Sequence, residues 1–434
     1  DLSHLEDRLS SDGRELLRQL LLAHLAYRGV GDIGLSVVGA DGIIRTHKRV
    51  RPRTITTLFG AITIQRQAYS MPHVGSLFPL DAMLNLPPIN VSYTLQKHLV
   101  LEVIKDSFQE AIDTVARWTG VTITKNHALD IVQEAVQDFA QFYAVQCRRE
   151  RREAAPLPLL ILTADGKGVL VRTQDLRPAT RKRAAQRAAK KGAESNEATR
   201  RHARRMATVA SVYEIDRFVR TPEEIVAAFF PMRAPSSRRR PVPKAKRLWA
   251  SLKHPPETVV RELFEDAMRR DPAQQKEWGV LVDGDPHQIA RFRRLATASQ
   301  VHLTLICDIV HVLGYLWKAA AVLQEDNQVA AWVRERLHRI LLGKSSSVAA
   351  GMRRSATCRH LPTTAREPVD ACARYLLNHA PYLVYHDYLK QGYPIATGII
   401  EGACRYLVKD RMDLTGARWG LEGAEAGLKL RAVK

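Results

Sequence analysis

The stretch that most restricts what this chain can fold into is Leu159-Leu-Ile-Leu-Thr-Ala-Asp-Gly-Lys-Gly-Val-Leu170, an apolar run carrying a single carboxylate, Asp165. Consecutive large apolar residues after Pro156 and Pro158 predict a short buried strand over Leu159 to Leu162. Gly166 and Gly168 predict a turn that bends closely round the acid before the apolar sequence resumes. An ionised carboxylate in that setting costs desolvation energy unless a cation or a set of donors meets it. Two later acids share the setting: Asp283 closes the apolar run Gly279-Val-Leu-Val282, and Glu401 lies inside Gly398-Ile-Ile-Glu-Gly-Ala-Cys404. One such acid alone is more often a helix cap or a satisfied turn. Three, in the order strand, strand, helix, predict a site that holds a hard divalent cation.

At 434 residues the chain exceeds one ordinary core and predicts about three domains. A hydrophobic fraction of 45% is that of a globular protein, and the absence of any long uncharged apolar run predicts no membrane span. Cys147, Cys307, Cys358, Cys372 and Cys404 contain no C-x-x-C pair, which argues against a structural zinc site and a secreted disulfide framework and predicts a reducing cytoplasm. The first residue is Asp1, with no signal pattern after it, so the start is expected to be a fragment boundary. The net charge of +21 favours a polyanionic partner, nucleic acid above all. From Arg172 to Lys253 there are 22 Lys and Arg against 7 Asp and Glu, so most of the excess follows the first acid directly.

In chain order, Leu2 to Tyr27 predicts an amphipathic helix. Leu35–Val38, Ile43-Ile44, Thr54–Leu58 and Ala61–Gln65 predict strands joined as hairpins at Asp41-Gly42 and Phe59-Gly60. Arg45, Lys48, Arg49, Arg51, Arg53 and Arg66 decorate them, either to meet phosphates or as an ordinary exposed strand face. Ser107-Phe-Gln-Glu110 is a capping-box signal for a helix through Trp118, Thr119-Gly120-Val121 ends it, and Thr124 caps another. That is a helix-turn-helix shape, although a plain helical hairpin shares the spacing. In the former reading Lys125 and Asn126 open the second helix, where such motifs meet the major groove. Arg148–Glu153 with Pro156 and Pro158 predicts a linker, and the basic run Arg181–Arg205 a helix lying on phosphates through Lys190, Lys191, Arg204 and Arg205. Strands follow at Met206–Tyr213 and Arg217–Val219, a Pro- and Arg-rich loop at Pro231–Pro243, a strand ending at Asp283, a helix Gln288–Ala296 and a strand Val301–Cys307. Helices are predicted from Val310 to about Gln391. The segments expected are a helix and β-hairpin module (1–95), a helix-turn-helix-like region (96–153), a catalytic core (154–320, with a basic insertion at about 176–206), a helical insertion (321–395) and a return to the core (396–434).

These residues carry a family resemblance. Thr57-Leu-Phe-Gly60 with Arg66, Tyr69 and Pro79-Leu-Asp81, the Ser107–Val132 segment, Thr163–Gly168, Arg205–Val209 with Asp216–Phe218, Val282–Asp285 and Asp308–His311 all contribute to it. Its most specific part is Gly398–Arg405 with Leu407–Arg411 and Thr415–Trp419. The chain resembles the DDE transposases of bacterial insertion sequences, nearest to the ISKra and ISLre type groups. The resemblance implies an α/β fold: an RNase H-like mixed-sheet catalytic domain with a helical insertion, preceded by a small α+β module and the helix-turn-helix-like region. It implies Asp165, Asp283 and Glu401 as the catalytic and metal-holding trio, and Asp308-x-x-His311, with Cys307 just before it, matches a C/D-x-x-H element of related transposases. It further implies a homodimer or larger assembly on DNA, a cytoplasmic, nucleoid-associated location, and a C-terminal piece beyond Lys434.

The chemistry expected is in-line cleavage of a phosphodiester at transposon ends and joining of the 3′-OH to target DNA, with two Mg²⁺, or Mn²⁺ in their place, held by carboxylates. Asp285 is the substitute for Asp283. Asp308 and His311, one helical turn apart, are expected near the scissile phosphate, or as a buried satisfied histidine with its partner. Arg405, Lys409, Arg411 and Arg418 are expected on DNA phosphates. Trp419 is expected on an unpaired base or in the core. The competing functions are a catalytically silent, domesticated DNA-binding protein and an RNase H-like nuclease.

Overall fold

The computed structural model describes residues 1–153, 157–191, 204–231, 238–414 and 417–433, and for 147–153 and 187–191 the backbone alone. The chain divides into two compact units, Asp1–Gln137 and Asp138–Lys434.

The first unit opens with α1 (Leu2–Tyr27), which starts where the Asp1 side chain accepts from the His4 N–H. Leu21, Leu22 and Leu25 pack on a small core of Ile55, Ile62, Ile64 and Leu80. The two hairpins form as expected. β1 (Val37–Val38) and β2 (Ile44–Arg45) flank Asp41-Gly42, and β3 (His47–Thr57), β4 (Gly60–Met71) and β5 (Val74–Leu77) make an antiparallel meander. The β3–β4 ribbon is about twice as long as predicted, its register running from Thr57↔Gly60 back to His47↔Ser70. Its exposed basic half has no apolar period, so pattern alone does not reveal it. Most of the basic residues here are already paired: Arg45 with Asp41, Lys48 with Asp32, and Arg53 and Arg66 with Asp81. Arg49 and Arg51 stand exposed.

After α2 (Pro79–Met83) and α3 (Tyr93–Val103) come α4 (Phe108–Thr119) and α5 (Lys125–Glu134). Ser107 Oγ accepts from the Glu110 N–H, Gly120 ends α4 at φ +69°, and Thr124 Oγ1 accepts from the His127 N–H. The left-handed turn suits glycine, which has no Cβ to clash there. Ala111, Ile112 and Val115 on α4 and Ala128, Ile131 and Val132 on α5 are buried, while Lys125 and Asn126 are exposed.

The second unit begins with α6 (Phe139–Glu153), so the expected linker at Arg148–Glu153 is helical instead. Tyr143 explains its attachment: its hydroxyl donates to the Ala432 carbonyl at 2.7 Å, and the Arg247 guanidinium lies 4.2 Å from its ring centre. The sheet comprises β6 (Leu159–Leu170), β7 (Arg204–Ile215), β8 (Lys244–Ser251), β9 (Glu277–Val282) and β10 (Leu303–Cys307), in the spatial order β10-β9-β6-β7-β8. β6, β7 and β8 are antiparallel neighbours, whereas β9 runs parallel to β6 and β10 parallel to β9. Between them lie α7 (Pro178–Lys191), α8 (Pro222–Phe229), α9 (Pro256–Arg270) and α10 (Pro286–Ser299). Then follow α11 (Ile309–Leu323), α12 (Asp326–Leu341), α13 (Ser345–Cys358), α14 (Thr363–Asn378), α15 (Tyr385–Lys390) and α16 (Gly398–Ala403), a π-helical turn at Cys404–Lys409, α17 (Asp410–Met412) and α18 (Leu421–Val433). The unit is a mixed α/β fold, and its sheet and the helices after β10 share one continuous core.

Three expectations are corrected. Asp165 does not sit in a turn, because β6 continues through it and pairs with β7 from Leu159↔Ile215 to Leu170↔Arg204. The glycines serve the neighbouring strand: a Cβ on Gly166 or Gly168 would come within 3.1 Å of Met206 Cε or 3.0 Å of Arg204 Cδ. Arg217–Val219 is not a strand, since the Phe218 and Arg220 N–H groups donate to the Gly392 and Leu389 carbonyls. The third strand is β8, which the charges of Lys244, Lys246 and Arg247 disguise. Finally, the basic run is helical in α7 but Arg204 and Arg205 belong to β7, and 192–203 lie outside the described residues.

Candidate active site

The parallel registers bring three acids into line. Thr163 is the last β6 residue paired with β9, opposite Leu281, so Asp165 and Asp283 each lie two residues farther on. Cys307 pairs with Val282, so Asp283 and Asp308 each lie one residue past the end of that pairing. Strand ends are where open α/β sheets gather ligand-binding groups, because side chains there leave the packed core. α16 packs against β6 and β7 and brings Glu401 to this edge. Burial, then the charges of Asp308 and Asp165, push the Glu401 carboxyl up, while His311 opposes them. Three residues beyond Glu401, the Cys404 thiol donates to Asp165 Oδ2 at 3.4 Å. Burial and the Asp165 charge hold that thiol in its neutral, donating form.

Each acid is held differently. The Asp283 side chain accepts from the Asp285 N–H at 2.8 Å across Gly284, whose φ of +99° closes the turn. Helix α14 grips the same turn: the Tyr375 hydroxyl donates to the Asp283 carbonyl, and His379 Nε2 lies 2.8 Å from the Gly284 carbonyl oxygen. Asp285, the alternative ligand, is exposed and caps α10 by accepting from the His287 N–H. Asp308 is 2% exposed. Its Oδ1 accepts from the Val310 N–H at 2.9 Å and the Thr397 N–H at 3.3 Å, and its Oδ2 from the Thr397 hydroxyl. Contrary to expectation, it therefore faces protein donors instead of an approaching phosphate. His311, by contrast, is exposed, with its ring 6.1 Å from that of Tyr315 and 6.4 Å from that of Tyr375. Sequence reading missed Tyr375, His379 and Thr397, and quoted Cys404 without giving it a role. None belongs to a local pattern that marks it, and Tyr375 meets Asp283 across 92 residues of chain.

By donor chemistry the carboxylates of Asp165, Asp283 and Glu401 are oxygen ligands of the kind a hard divalent ion takes, and the Asp165 charge is one that acts on Glu401. Among the described residues no three His, Cys, Asp or Glu side chains stand close enough together to hold a metal ion. The Asp283 carboxylate turned onto its own loop is consistent with that.

The proposed DNA contacts separate. Arg405, Lys409 and Arg418 are exposed near Glu401 in sequence, Arg405 lying 3.5 Å from Asp410. Arg411 is corrected and Trp419 takes the core alternative: both are buried, the guanidinium 4.5 Å from the indole centre, and Trp419 Nε1 donates to the Met412 carbonyl. Trp419 also bonds through its backbone to Leu170 and Arg172, so it closes the end of β6 and offers no face to a base. Arg205 is likewise structural, donating to the Leu252 and Asp175 carbonyls, and Arg204, though exposed, donates to the Gly168 carbonyl at 3.1 Å and lies 3.4 Å from the Asp413 carboxylate. The Lys190 and Lys191 side chains, and residues 415–416 of the C-terminal signature, lie outside the described residues. No protein-family profile matches the chain, and no curated protein matches it.

The electrostatics carry a prediction that needs no substrate. A carboxyl raised in the fold favours its protonated form, so Glu401 contributes stability below its unfolded value, near 4.5, and loses it as pH rises through the folded value. Metal-free Glu401→Gln is expected to melt at or slightly above the unaltered protein at pH 7, by less than about 1 kcal/mol because the group is largely exposed. The gap closes toward pH 4. Thermal melts in chelator across that range check it; a variant clearly less stable at pH 7 contradicts it.

Proposed function

We propose that the chain is a DNA transposase of the DDE type, which cuts phosphodiester bonds at insertion-sequence ends and joins the 3′-OH ends to target DNA. The observation that carries the reading is the alignment of Asp165 and Asp283, each two residues past the last pair between the parallel strands β6 and β9, with Glu401 delivered near Asp165 on a helix. The strand order, with three antiparallel strands followed by two parallel ones, supports the RNase H-like architecture that the resemblance implies.

In this reading Asp165, Asp283 and Glu401 would hold two Mg²⁺, or Mn²⁺, which supply a Lewis acid and an activated water when bound. Asp165 sits between the other two and is the residue able to serve both positions. Asp165 Oδ2 accepts from the Cys404 thiol and its Oδ1 from the Gly166 N–H at 2.6 Å. The exposed His311 is placed to hydrogen-bond a phosphate oxygen, and Arg405, Lys409 and Arg418 to position the strand. On this reading, and as the resemblance implies, the protein would work as a dimer or larger assembly on DNA, in the cytoplasm at the nucleoid. No described helix is long and apolar enough to cross a membrane.

Incubation with DNA bearing the ends that flank its own gene, in Mg²⁺ or Mn²⁺, is expected to yield nicked and joined products. Binding to those ends without either product would favour the silent DNA-binding protein. Cutting of RNA hybrids without joining would favour the nuclease. The capped α4–α5 pair predicts where sequence is read: Lys125→Ala should lower the preference for terminal over random DNA by about 1–3 kcal/mol. Competition binding measures this, and an unchanged preference removes the helix-turn-helix role.

A further inference from the structure

Asp308 lies at the junction of the parts that carry the second and third acids. Its N–H donates to the Val282 carbonyl at 2.8 Å, immediately before Asp283. The next residue, Ile309, donates through its N–H to the Ile395 carbonyl at 2.9 Å, just before the third-acid helix. The Asp308 carboxylate then takes both donors of Thr397, the N-cap of α16. One turn later the Glu401 N–H donates to the Thr397 carbonyl at 3.1 Å. The chain from strand end to acid is thus short and buried, with Thr397 itself only 7% exposed. No other described side chain is shown to tie α16 to β10 by a hydrogen bond.

We propose that Asp308 is a positioning residue: through Thr397 it fixes the start of the Glu401 helix against the strand carrying Asp283, and so sets how the acids present to metal. The inference rests on the reading of Asp165, Asp283 and Glu401 as metal-holding groups. A buried carboxylate with three donors is rigid, because releasing any one of them strands a polar group without water. The threonine hydroxyl is the component that can be removed at nearly constant volume. Thr397→Val deletes the donor to Oδ2, and Thr397→Ser keeps it.

The test is Mn²⁺ binding to the full chain, followed by electron paramagnetic resonance of free Mn²⁺, with thermal melts alongside. Thr397→Val is expected to weaken Mn²⁺ binding about 10- to 100-fold, the range for residues that orient metal ligands. Thr397→Ser should restore it, while both variants melt within a few degrees of each other. Asp308→Ala should weaken binding at least as much, and Thr397→Val keeps the test open if that variant does not fold. Equal Mn²⁺ affinity in Thr397→Val and the unaltered protein overturns the proposal, as does a Thr397→Ser variant that behaves like Thr397→Val. Failure of the unaltered protein to bind Mn²⁺ would instead overturn the metal-site reading on which it rests.

Discussion

Asp165→Asn, Asp283→Asn and Glu401→Gln should each abolish strand cleavage and joining while DNA binding survives. Each change takes one charge from the acids at this edge, where burial and then the charges of Asp308 and Asp165 raise the Glu401 carboxyl and Asp283 lies level with Asp165 on the neighbouring strand. Without that charge the site captures Mg²⁺ poorly, and several kcal/mol of transition-state stabilisation disappear, a loss on the order of a thousandfold in rate. The fold should tolerate the changes, since an amide is close to isosteric and an uncompensated carboxylate near a buried edge is unfavourable. Asp285→Asn is the internal control. Asp285 caps α10, and asparagine is as good an N-cap as aspartate, so both fold and activity should be retained. Gel assays of nicked and joined products distinguish the outcomes. Full activity in one substitution removes that residue from the site, and full activity in all three assigns the protein to a non-catalytic role.

DNA affinity should fall steeply with salt. A polyanion bound by a chain of net charge +21 releases counterions from each neutralised phosphate, and neutralising six to ten phosphates costs about a thousandfold or more between 50 and 200 mM salt. The segment after Asp165 is expected to supply much of this. Its described, exposed members include Arg181, Lys182 and Arg183 on α7, whereas Arg204 is paired with Asp413 and the Gly168 carbonyl and Arg205 is committed to protein carbonyls. Replacing Arg181, Lys182 and Arg183 with Gln should reduce the logarithmic salt slope by about 0.9 for every phosphate that is no longer neutralised. Arg205→Gln should chiefly lower stability, because its carbonyl partners at Leu252 and Asp175 lose their donor. Affinity that stays flat across this salt range would leave the charge without a DNA-binding role.

Much of the architecture was legible because it rests on local chemistry. Helix α1, the Ser107 and Thr124 caps, the Gly120 stop, both hairpin turns and the apolar strands ending at Asp283 and Cys307 follow from residues close together in the chain. So did the choice of Asp165, Asp283 and Glu401 as candidates, since an acid set in apolar sequence is visible without coordinates. Where local cues conflict with distant partners, the reading failed. Glycines beside Asp165 looked like a turn until β7 supplied side chains that need their space, and β8 was hidden by lysines and arginine on a strand that the sheet nonetheless pairs.

The sequence by itself determined which groups are chemically unusual and how the chain is punctuated, because propensity, capping and burial cost act within a few residues. Only the tertiary structure decided what those groups do. It placed Asp165, Asp283 and Asp308 level on three parallel strands and gave Asp308 to Thr397 and Asp285 to α10. It also turned Arg411 and Trp419 inward and brought Tyr375 under Asp283. Each of these outcomes depends on a partner far away in the chain, and a hydrogen bond or a stacked ring across such a separation leaves no periodic trace in the sequence.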